Sequence, residues 1–159
     1  MPKLYILCGP SGCGKTTWAA NFIKEHRDTD DIRYVSRDEI RFELIDPNKE
    51  YFSREKEVFR RFTGYLTQTL VDGFDVIADA THLNEFSRRK LTHAIDMYFK
   101  DYEIVYVSFN VNVDVCIEHN AKRTGRANVP EAVIRNMCKD FKAPSLDEDE
   151  RAINIMEVS

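Results

Sequence analysis

Short apolar runs alternate along the chain with longer segments whose apolar residues recur every three to four positions. The runs have the length of strands, and the longer segments have the spacing of one helix face. The runs predict strands at residues 4–8, 32–35, 75–78, 104–109 and 153–158. The longer segments predict helices at residues 16–26, 52–71, 84–99, 113–122 and 130–141.

The alternation of strands and helices predicts an α/β fold with a central parallel sheet of about five strands and helices on both faces. In such a sheet, ligands bind beyond the carboxyl ends of the strands. No repeat, low-complexity segment or Gly/Ser/Pro-rich linker interrupts the pattern. We therefore expect residues 1–159 to form a single domain.

The composition limits the partners and the compartment. The formal net charge of −4 excludes a uniformly basic nucleic-acid-binding surface, so any site for a polyanion has to be a local patch. No signal peptide or membrane span is present, which predicts a cytoplasmic protein without a membrane partner. The sequence indicates no oligomeric state. Small unreactive thiols in a reducing compartment are expected for the unpaired cysteines Cys8, Cys13, Cys116 and Cys138.

A complete phosphate-binding loop follows the first strand. Residues Gly9–Thr16 fit the pattern G-x-x-x-x-G-K-[ST], in which glycines let backbone N–H groups converge on a triphosphate. Lys15 would reach the β- and γ-phosphates, and the Thr16 hydroxyl would ligate magnesium. This loop between a strand and a helix predicts a P-loop protein that binds a nucleoside triphosphate. The predicted nucleotide contacts are Gly9, Ser11, Gly12, Cys13, Gly14, Lys15, Thr16 and Thr17, with the Cys13 and Thr17 side chains as spectators.

An acidic residue and an arginine follow the second strand. Asp38 would stand near the γ-phosphate, where a carboxylate takes the proton of an acceptor hydroxyl. Arg41 lies about one helical turn further on and would bind a phosphate carried by the acceptor. The alternative is that Asp38 caps a helix and Arg41 is solvated.

Two further regions carry candidate residues. Asp79 ends the third strand and is a candidate for a water-mediated contact with magnesium or for a contact with the acceptor. Arg123 and Arg126 lie between two predicted helices, near residues that tolerate unusual backbone angles. Arginines in a mobile lid stabilise the charge that develops on a transferring phosphoryl group. A charged surface loop is the alternative. His82 is expected to be structural or solvated.

These blocks together resemble the kinase domain of bacteriophage-type 5'-hydroxyl polynucleotide kinases. They occur in the family's order across nearly all of the chain. The first two are Gly9-Pro10-Ser11-Gly12-Cys13-Gly14-Lys15-Thr16-Thr17-Trp18-Ala19 and Arg37-Asp38-Glu39-Ile40-Arg41. The others are Asp79-Ala80-Thr81-His82-Leu83-Asn84 with Arg88-Arg89, and Asn120-Ala121-Lys122-Arg123-Thr124-Gly125-Arg126 with Val129-Pro130 and Val133-Ile134-Arg135.

The resemblance implies a P-loop kinase fold with a short arginine-bearing lid, and an enzyme of nucleic-acid repair that uses ATP with Mg²⁺. GTP is the alternative donor. The resemblance further implies that Asp38 is the general base, that Arg41 binds the acceptor phosphate and that Arg88 lies on the acceptor side. It also implies a lid arginine, which is Arg123 or Arg126 because this segment is one residue longer than the family pattern. No Asp-x-Asp-Gly-Thr motif is present, so 3'-phosphatase activity is not expected.

The sequence leaves three functions open. The first is ATP-dependent transfer to the 5'-hydroxyl end of DNA or RNA. The second is phosphorylation of a small molecule such as a nucleoside or sugar, which the same fold permits. The third is a nucleotide-binding switch without catalysis. A basic open groove beyond Arg41 would favour the first function, and a closed pocket would favour the second.

Overall fold

The computed structural model of the protein describes residues 1–29, 31–110, 112–123 and 128–159. Strands and helices alternate over these residues. The strands are β1 (Lys3–Cys8), β2 (Ile32–Ser36), β3 (Asp75–Asp79), β4 (Glu103–Phe109) and β5 (Ala152–Val158). The helices are α1 (Lys15–Glu25), α2 (Arg37–Leu44), α3 (Glu55–Val71), α4 (Glu85–Asp96), α5 (Val113–Ala121) and α6 (Glu131–Asp140), with a 3-10 turn at Leu146–Glu148.

The described strands form one sheet in the order β2-β3-β1-β4-β5, and every neighbouring pair is parallel. Successive residues of β1 face opposite sides of this sheet. Leu4 and Ile6 pack into a core with α3 and α4, whereas Tyr5 and Leu7 pack into a second core with α1. The predicted parallel sheet with helices on both faces is confirmed.

The structure differs from the predicted elements mainly between β2 and β3. The helix α2 was not predicted, because its only buried residue is Ile40 and the other positions show no apolar period. It begins where the Ser36 hydroxyl accepts a hydrogen bond from the Glu39 backbone N–H at 3.3 Å. The helix α3 begins at Glu55 rather than at residue 52, so Tyr51 and Phe52 belong to the connection that precedes it.

The capping of α4 follows the prediction. The Asn84 side chain accepts a hydrogen bond from the Ser87 backbone N–H at 2.9 Å, and Ser87 bonds back to the Asn84 backbone at 3.2 Å. This reciprocal pair satisfies two backbone donors at the start of the helix. It fixes the end of the segment that leads from Asp79 to α4.

Parallel pairing brings the ends of three strands together. Ser36 at the end of β2 pairs with Asp79 at the end of β3, and Ile6 of β1 pairs with Ala78. The phosphate-binding loop follows β1 directly, and Arg37 and Asp38 follow β2 directly. All three segments therefore leave the same edge of the sheet.

His82 has a structural role between these segments. Its backbone has a φ of 42°, and its imidazole, only 5% exposed, donates from Nδ1 to the Leu7 carbonyl oxygen at 2.7 Å. Burial lowers the pKa of His82 to about 3, because no water is available to solvate an imidazolium there. The histidine is therefore neutral at physiological pH.

Replacing His82 by asparagine is expected to make the fold less sensitive to acid. The unfolded wild-type chain takes up a proton on His82 below pH 6.5, and the folded chain does not do so until about pH 3. Lowering the pH from 7 to 5 therefore reduces the free energy of unfolding of the wild type by about 2 kcal/mol. Asparagine tolerates positive φ and retains an amide donor for Leu7.

The measurement is urea-induced unfolding of both proteins at pH 7 and pH 5. The wild type should lose about 2 kcal/mol more of its free energy of unfolding than the His82→Asn variant does. Parallel losses in the two proteins would contradict a neutral buried His82.

Candidate active site

Two glycines give the phosphate-binding loop its shape. Gly12 and Gly14 have φ values of 84° and 95°, which other residues rarely adopt. A Cβ on Gly12 would also lie 2.5 Å from the carbonyl oxygen of Cys116, so the loop packs directly on α5. Gly14 is the N-cap of α1 and provides no side-chain acceptor for the first backbone N–H groups of the helix. These donors are thus positioned as an anion-binding site.

Lys15 lies inside this loop. It is 8% exposed, and its Nζ donates to the carbonyl oxygens of Gly9 at 2.9 Å and Pro10 at 2.8 Å. The ammonium group is thus held at the end of β1 by the loop itself. A phosphate bound in the loop would compete with these two carbonyl oxygens for the N–H donors of Lys15.

The neighbouring Thr16 contacts the end of β3. Its hydroxyl donates to Oδ2 of Asp79 at 3.1 Å, and the Tyr34 hydroxyl donates to the same oxygen. Burial raises the pKa of Asp79, although Lys15 and the two hydroxyl donors oppose this effect. Burial and the negative charge of Asp79 raise the pKa of Tyr34, so its hydroxyl remains a donor.

The oxygen atoms of Thr16 and Asp79 fit a magnesium site. Magnesium prefers hard oxygen ligands and is usually bound by one or two protein groups together with substrate phosphates and water. In the part of the chain that the structure describes, no group of three or more His, Cys, Asp or Glu side chains converges on a metal site. The Thr16 hydroxyl, which is hydrogen-bonded to Asp79, is thus the group next to the loop that fits a magnesium ligand.

Asp38 and Arg41 lie close together on α2. The Asp38 side chain is 54% exposed, and its Oδ1 accepts hydrogen bonds from Arg41 Nη1 and the Tyr51 hydroxyl, both at 2.7 Å. These two donors hold the carboxylate in one orientation. The predicted alternative of a solvated arginine is wrong, because the Arg41 side chain is only 13% exposed.

Glu55, the first residue of α3, holds Arg41 in place. Its two carboxylate oxygens accept from Arg41 Nε at 2.7 Å and from Nη2 at 2.8 Å, and Arg37 Nη2 donates to it at 3.1 Å. Arg41 therefore uses three of the five N–H donors of a guanidinium on Glu55 and Asp38. The other two donors have no carboxylate partner among the described residues.

Arg37 lies beside this pair. Its Nε is buried and has no hydrogen-bond partner within the described residues. Burial lowers the pKa of Arg37, and the nearby positive charge of Arg41 acts in the same direction. An anion bound next to the two arginines would relieve both penalties.

These groups share one cleft. It is lined by residues of the phosphate-binding loop, by residues of α2 and by Arg123. The predicted site residues on its wall are Ser11, Gly12, Lys15, Thr16, Asp38, Arg41, Asp79 and Arg123. The described lining further includes Arg37, Tyr51, Phe52, Ala80, Thr81, Val129 and Met137. Among the described residues, the predicted members Gly9, Cys13, Gly14 and Thr17 belong to the loop or to α1 without lining the cleft.

Two predicted arginines are not placed in the cleft. Arg88 is only 2% exposed, and its guanidinium donates to Glu148 at 2.8 and 3.1 Å and to the His82 carbonyl oxygen at 2.9 Å. A side chain with these buried partners is not available to an acceptor, so its prediction as a substrate contact is corrected to a structural ion pair. Arg126 lies outside the described residues.

The cysteines agree with the expectation of unreactive thiols. All four are free, and Cys8 and Cys116 are buried. Burial raises the pKa of Cys8 to about 12 and that of Cys116 to about 11. Both thiols are therefore protonated at neutral pH, and neither has the thiolate character of a nucleophile.

Comparison with known proteins bears on the same residues. Residues 4–144 match the family described as AAA domain. The matched region contains the phosphate-binding loop, α2, the end of β3 and Arg123. The chain belongs to this family. The AAA domain has a P-loop kinase fold here, which supports nucleotide binding by the loop.

Solved structures with the same fold include kinases of different substrates. The chain is 28% identical to a chain of a Pnkp1/Rnl/Hen1 RNA repair complex, with a TM-score of 0.69 over 87% of this chain and 43% of that one. It is 13% identical to a fungal RNA kinase, with a TM-score of 0.69 over 99% of this chain and 38% of that one. It is 16% identical to a sugar kinase from Janibacter sp. HTCC2649, with a TM-score of 0.66 over 99% of this chain and 86% of that one.

The chain thus spans less than half the length of the two RNA-related chains that it matches. The low identities to the fungal RNA kinase and the sugar kinase show the shared fold alone. Among the described helices, none has the length and apolar character needed to cross a membrane.

Proposed function

We propose that the protein is an ATP-dependent kinase that phosphorylates the 5'-hydroxyl end of DNA or RNA. The observation that carries the proposal is that one cleft is lined both by Lys15 and Thr16 of the loop and by Asp38 and Arg41 of α2. Donor and acceptor groups thus lie in one concavity, as direct phosphoryl transfer requires. The similarity to a chain of an RNA repair complex supports a nucleic-acid acceptor.

The donor half would be the loop of Gly9–Thr16 and the first turn of α1. Backbone N–H groups and Lys15 would bind the phosphates of ATP, and GTP is the alternative donor. The Thr16 hydroxyl would bind Mg²⁺, with Asp79 and Tyr34 behind it. When bound, this ion would offset negative charge on the phosphates.

The acceptor half would be built on Asp38. Its Oδ1 accepts from Arg41 and Tyr51, and these two hydrogen bonds would hold the carboxylate in place for an incoming hydroxyl. The carboxylate would accept the proton of the 5'-hydroxyl as that oxygen bonds to the γ-phosphorus and the bond to the departing ADP breaks. Phosphoryl transfer needs little more than this positioning and charge stabilisation.

The arginines would supply the charge stabilisation. Two Arg41 donors have no carboxylate partner among the described residues, and Arg37 has a buried Nε without a described partner. The pair would therefore suit the phosphate that follows the terminal nucleoside. Arg123 on the cleft wall, or Arg126 after it, would contact the transferring phosphoryl group.

The proposal is tested with γ-labelled ATP, Mg²⁺ and a panel of acceptors. The panel contains 5'-hydroxyl DNA and RNA oligonucleotides, nucleoside 3'-monophosphates, bare nucleosides and sugars. We expect strong label on the oligonucleotides, weaker label on the nucleoside 3'-monophosphates and the weakest label on bare nucleosides. Label on sugars or nucleosides alone would favour the small-molecule kinase, and ATP binding without any labelled product would favour the nucleotide switch.

Replacing Arg41 by lysine is expected to raise the KM for an acceptor that carries a 3'-phosphate by about tenfold or more. Lysine keeps a positive charge but loses the planar pair of donors that binds Glu55 and a phosphate together. Since a bare nucleoside offers no phosphate to this arginine, the loss on that acceptor should be smaller.

Steady-state kinetics on both acceptors measures this difference. Arg89→Lys is the matched control, because Arg89 is exposed on α4 and forms an ordinary surface ion pair with Glu85. An equal loss on both acceptors would count against a phosphate contact by Arg41.

A further inference from the structure

An aromatic pair lies at the acceptor end of the cleft. Tyr51 and Phe52 belong to the connection between α2 and α3, and both line the cleft. Their ring centroids are 5.0 Å apart with an interplanar angle of 73°, an edge-on arrangement. Phe42 of α2 packs against Tyr51 with its centroid at 5.6 Å. The pair is therefore supported from the side of α2.

Both rings contact residues that would bind or deprotonate the acceptor. The Tyr51 hydroxyl donates to Asp38 at 2.7 Å. The Arg41 guanidinium carbon lies 5.1 Å from the Phe52 ring centroid and 5.5 Å from that of Tyr51, within the range of cation–π contacts. The salt bridge from Arg41 to Glu55 fixes this guanidinium. The rings thus have a defined position relative to the acceptor groups.

Phe52 remains 40% exposed although it lies among charged groups. An exposed aromatic residue is unremarkable elsewhere on a protein surface. Here its ring lines the same cleft wall as Asp38 and Arg41, where a ligand has to pass. Flat aromatic faces in such positions bind nucleobases by stacking, whichever base is present.

We propose that Phe52, held by Tyr51 and Arg41, stacks on the nucleobase of the acceptor's terminal nucleotide. The inference rests on the proposed function, since it assumes that a 5'-hydroxyl end occupies the cleft. It assigns the hydroxyl, the phosphate and the base of one nucleotide to Asp38, Arg41 and Phe52. The preferred acceptor is therefore a terminal nucleotide whose base is unpaired and free to stack, with little preference among the four bases.

The experiment compares two acceptors that differ only in the terminal base. One is a single-stranded oligonucleotide with a normal 5'-terminal nucleotide, and the other has an abasic 5'-terminal residue. Wild-type kcat/KM should fall about tenfold from the normal to the abasic acceptor. Phe52→Leu should lose about tenfold on the normal acceptor, mainly through KM, and should show little further loss on the abasic one.

Two variants serve as controls. Phe52→Trp keeps an aromatic face and should retain the preference for the normal acceptor. Phe86→Leu removes an aromatic ring that is 78% exposed on α4 and is absent from the described cleft lining, so it should behave as wild type. ATP affinity and thermal unfolding of the Phe52→Leu variant verify that its loop and fold are intact.

Equal losses of the Phe52→Leu variant on both acceptors would overturn the stacking role. An equal wild-type kcat/KM on the normal and the abasic acceptor would also overturn the stacking role, but it would not contradict polynucleotide kinase activity. Failure of the wild-type protein to label either acceptor would instead overturn the proposed function on which the inference rests.

Discussion

An Asp38→Asn variant is expected to lose nearly all phosphoryl transfer and to keep its affinity for ATP. The amide has the size of the carboxylate, and its oxygen still accepts from Arg41 and Tyr51, so the geometry of the acceptor side is retained. What it lacks is the basicity that removes a proton from the acceptor hydroxyl. General base catalysis contributes about 10²- to 10⁴-fold in rate, which is the loss we expect in kcat.

Single-turnover transfer and calorimetric titration with ATP separate the two effects. Asp38→Ala should lose transfer to a similar extent, because it also lacks the base. Asp46→Asn is a matched control, since Asp46 is an exposed residue beyond the end of α2 and does not line the described cleft. Transfer at the wild-type rate by Asp38→Asn would exclude this residue as the base.

Replacing the lid arginine by alanine is expected to lower kcat by about a thousandfold or more, the range of arginines that stabilise phosphoryl transfer. Arg123 lines the cleft, so we expect the larger effect from Arg123→Ala. ATP affinity should change much less, because this contribution arises as charge develops in the transition state.

Arg123→Ala and Arg126→Ala have to be compared side by side. Lys122→Ala is the control for loss of a neighbouring positive charge, because its side chain is 71% exposed and pairs with Glu118 on the protein surface. An unchanged kcat in both variants would show that neither arginine stabilises the transferring phosphoryl group.

The strands and the phosphate-binding loop could be predicted because their signals are local. A short apolar run specifies a buried strand, and the glycines of the loop permit the positive φ values found at Gly12 and Gly14. The position of the site followed from topology, since the carboxyl ends of parallel strands share one edge. Asp38 was predicted because it follows the second strand closely, and Arg41 because it lies one helical turn further on.

The supporting residues could not be predicted because their partners are distant in sequence. Glu55 binds Arg41 across the connection from α2 to α3, and Tyr34 reaches Asp79 from a neighbouring strand. Neither belongs to a motif. Arg88 shows the converse error. The resemblance implied an acceptor contact, whereas Glu148, 60 residues away, binds its guanidinium.

The charges around Asp38 cancel one another locally. The guanidinium groups of Arg37 and Arg41 are matched by the carboxylates of Asp38 and Glu55, in a chain whose net charge is already −4. Such a quartet generates little long-range field, so it would not draw nucleic acid in from a distance or hold a duplex by its backbone. Recognition would depend on close fit, and the proposed enzyme would discriminate strand termini from the far more abundant internal phosphates by geometry rather than by attraction.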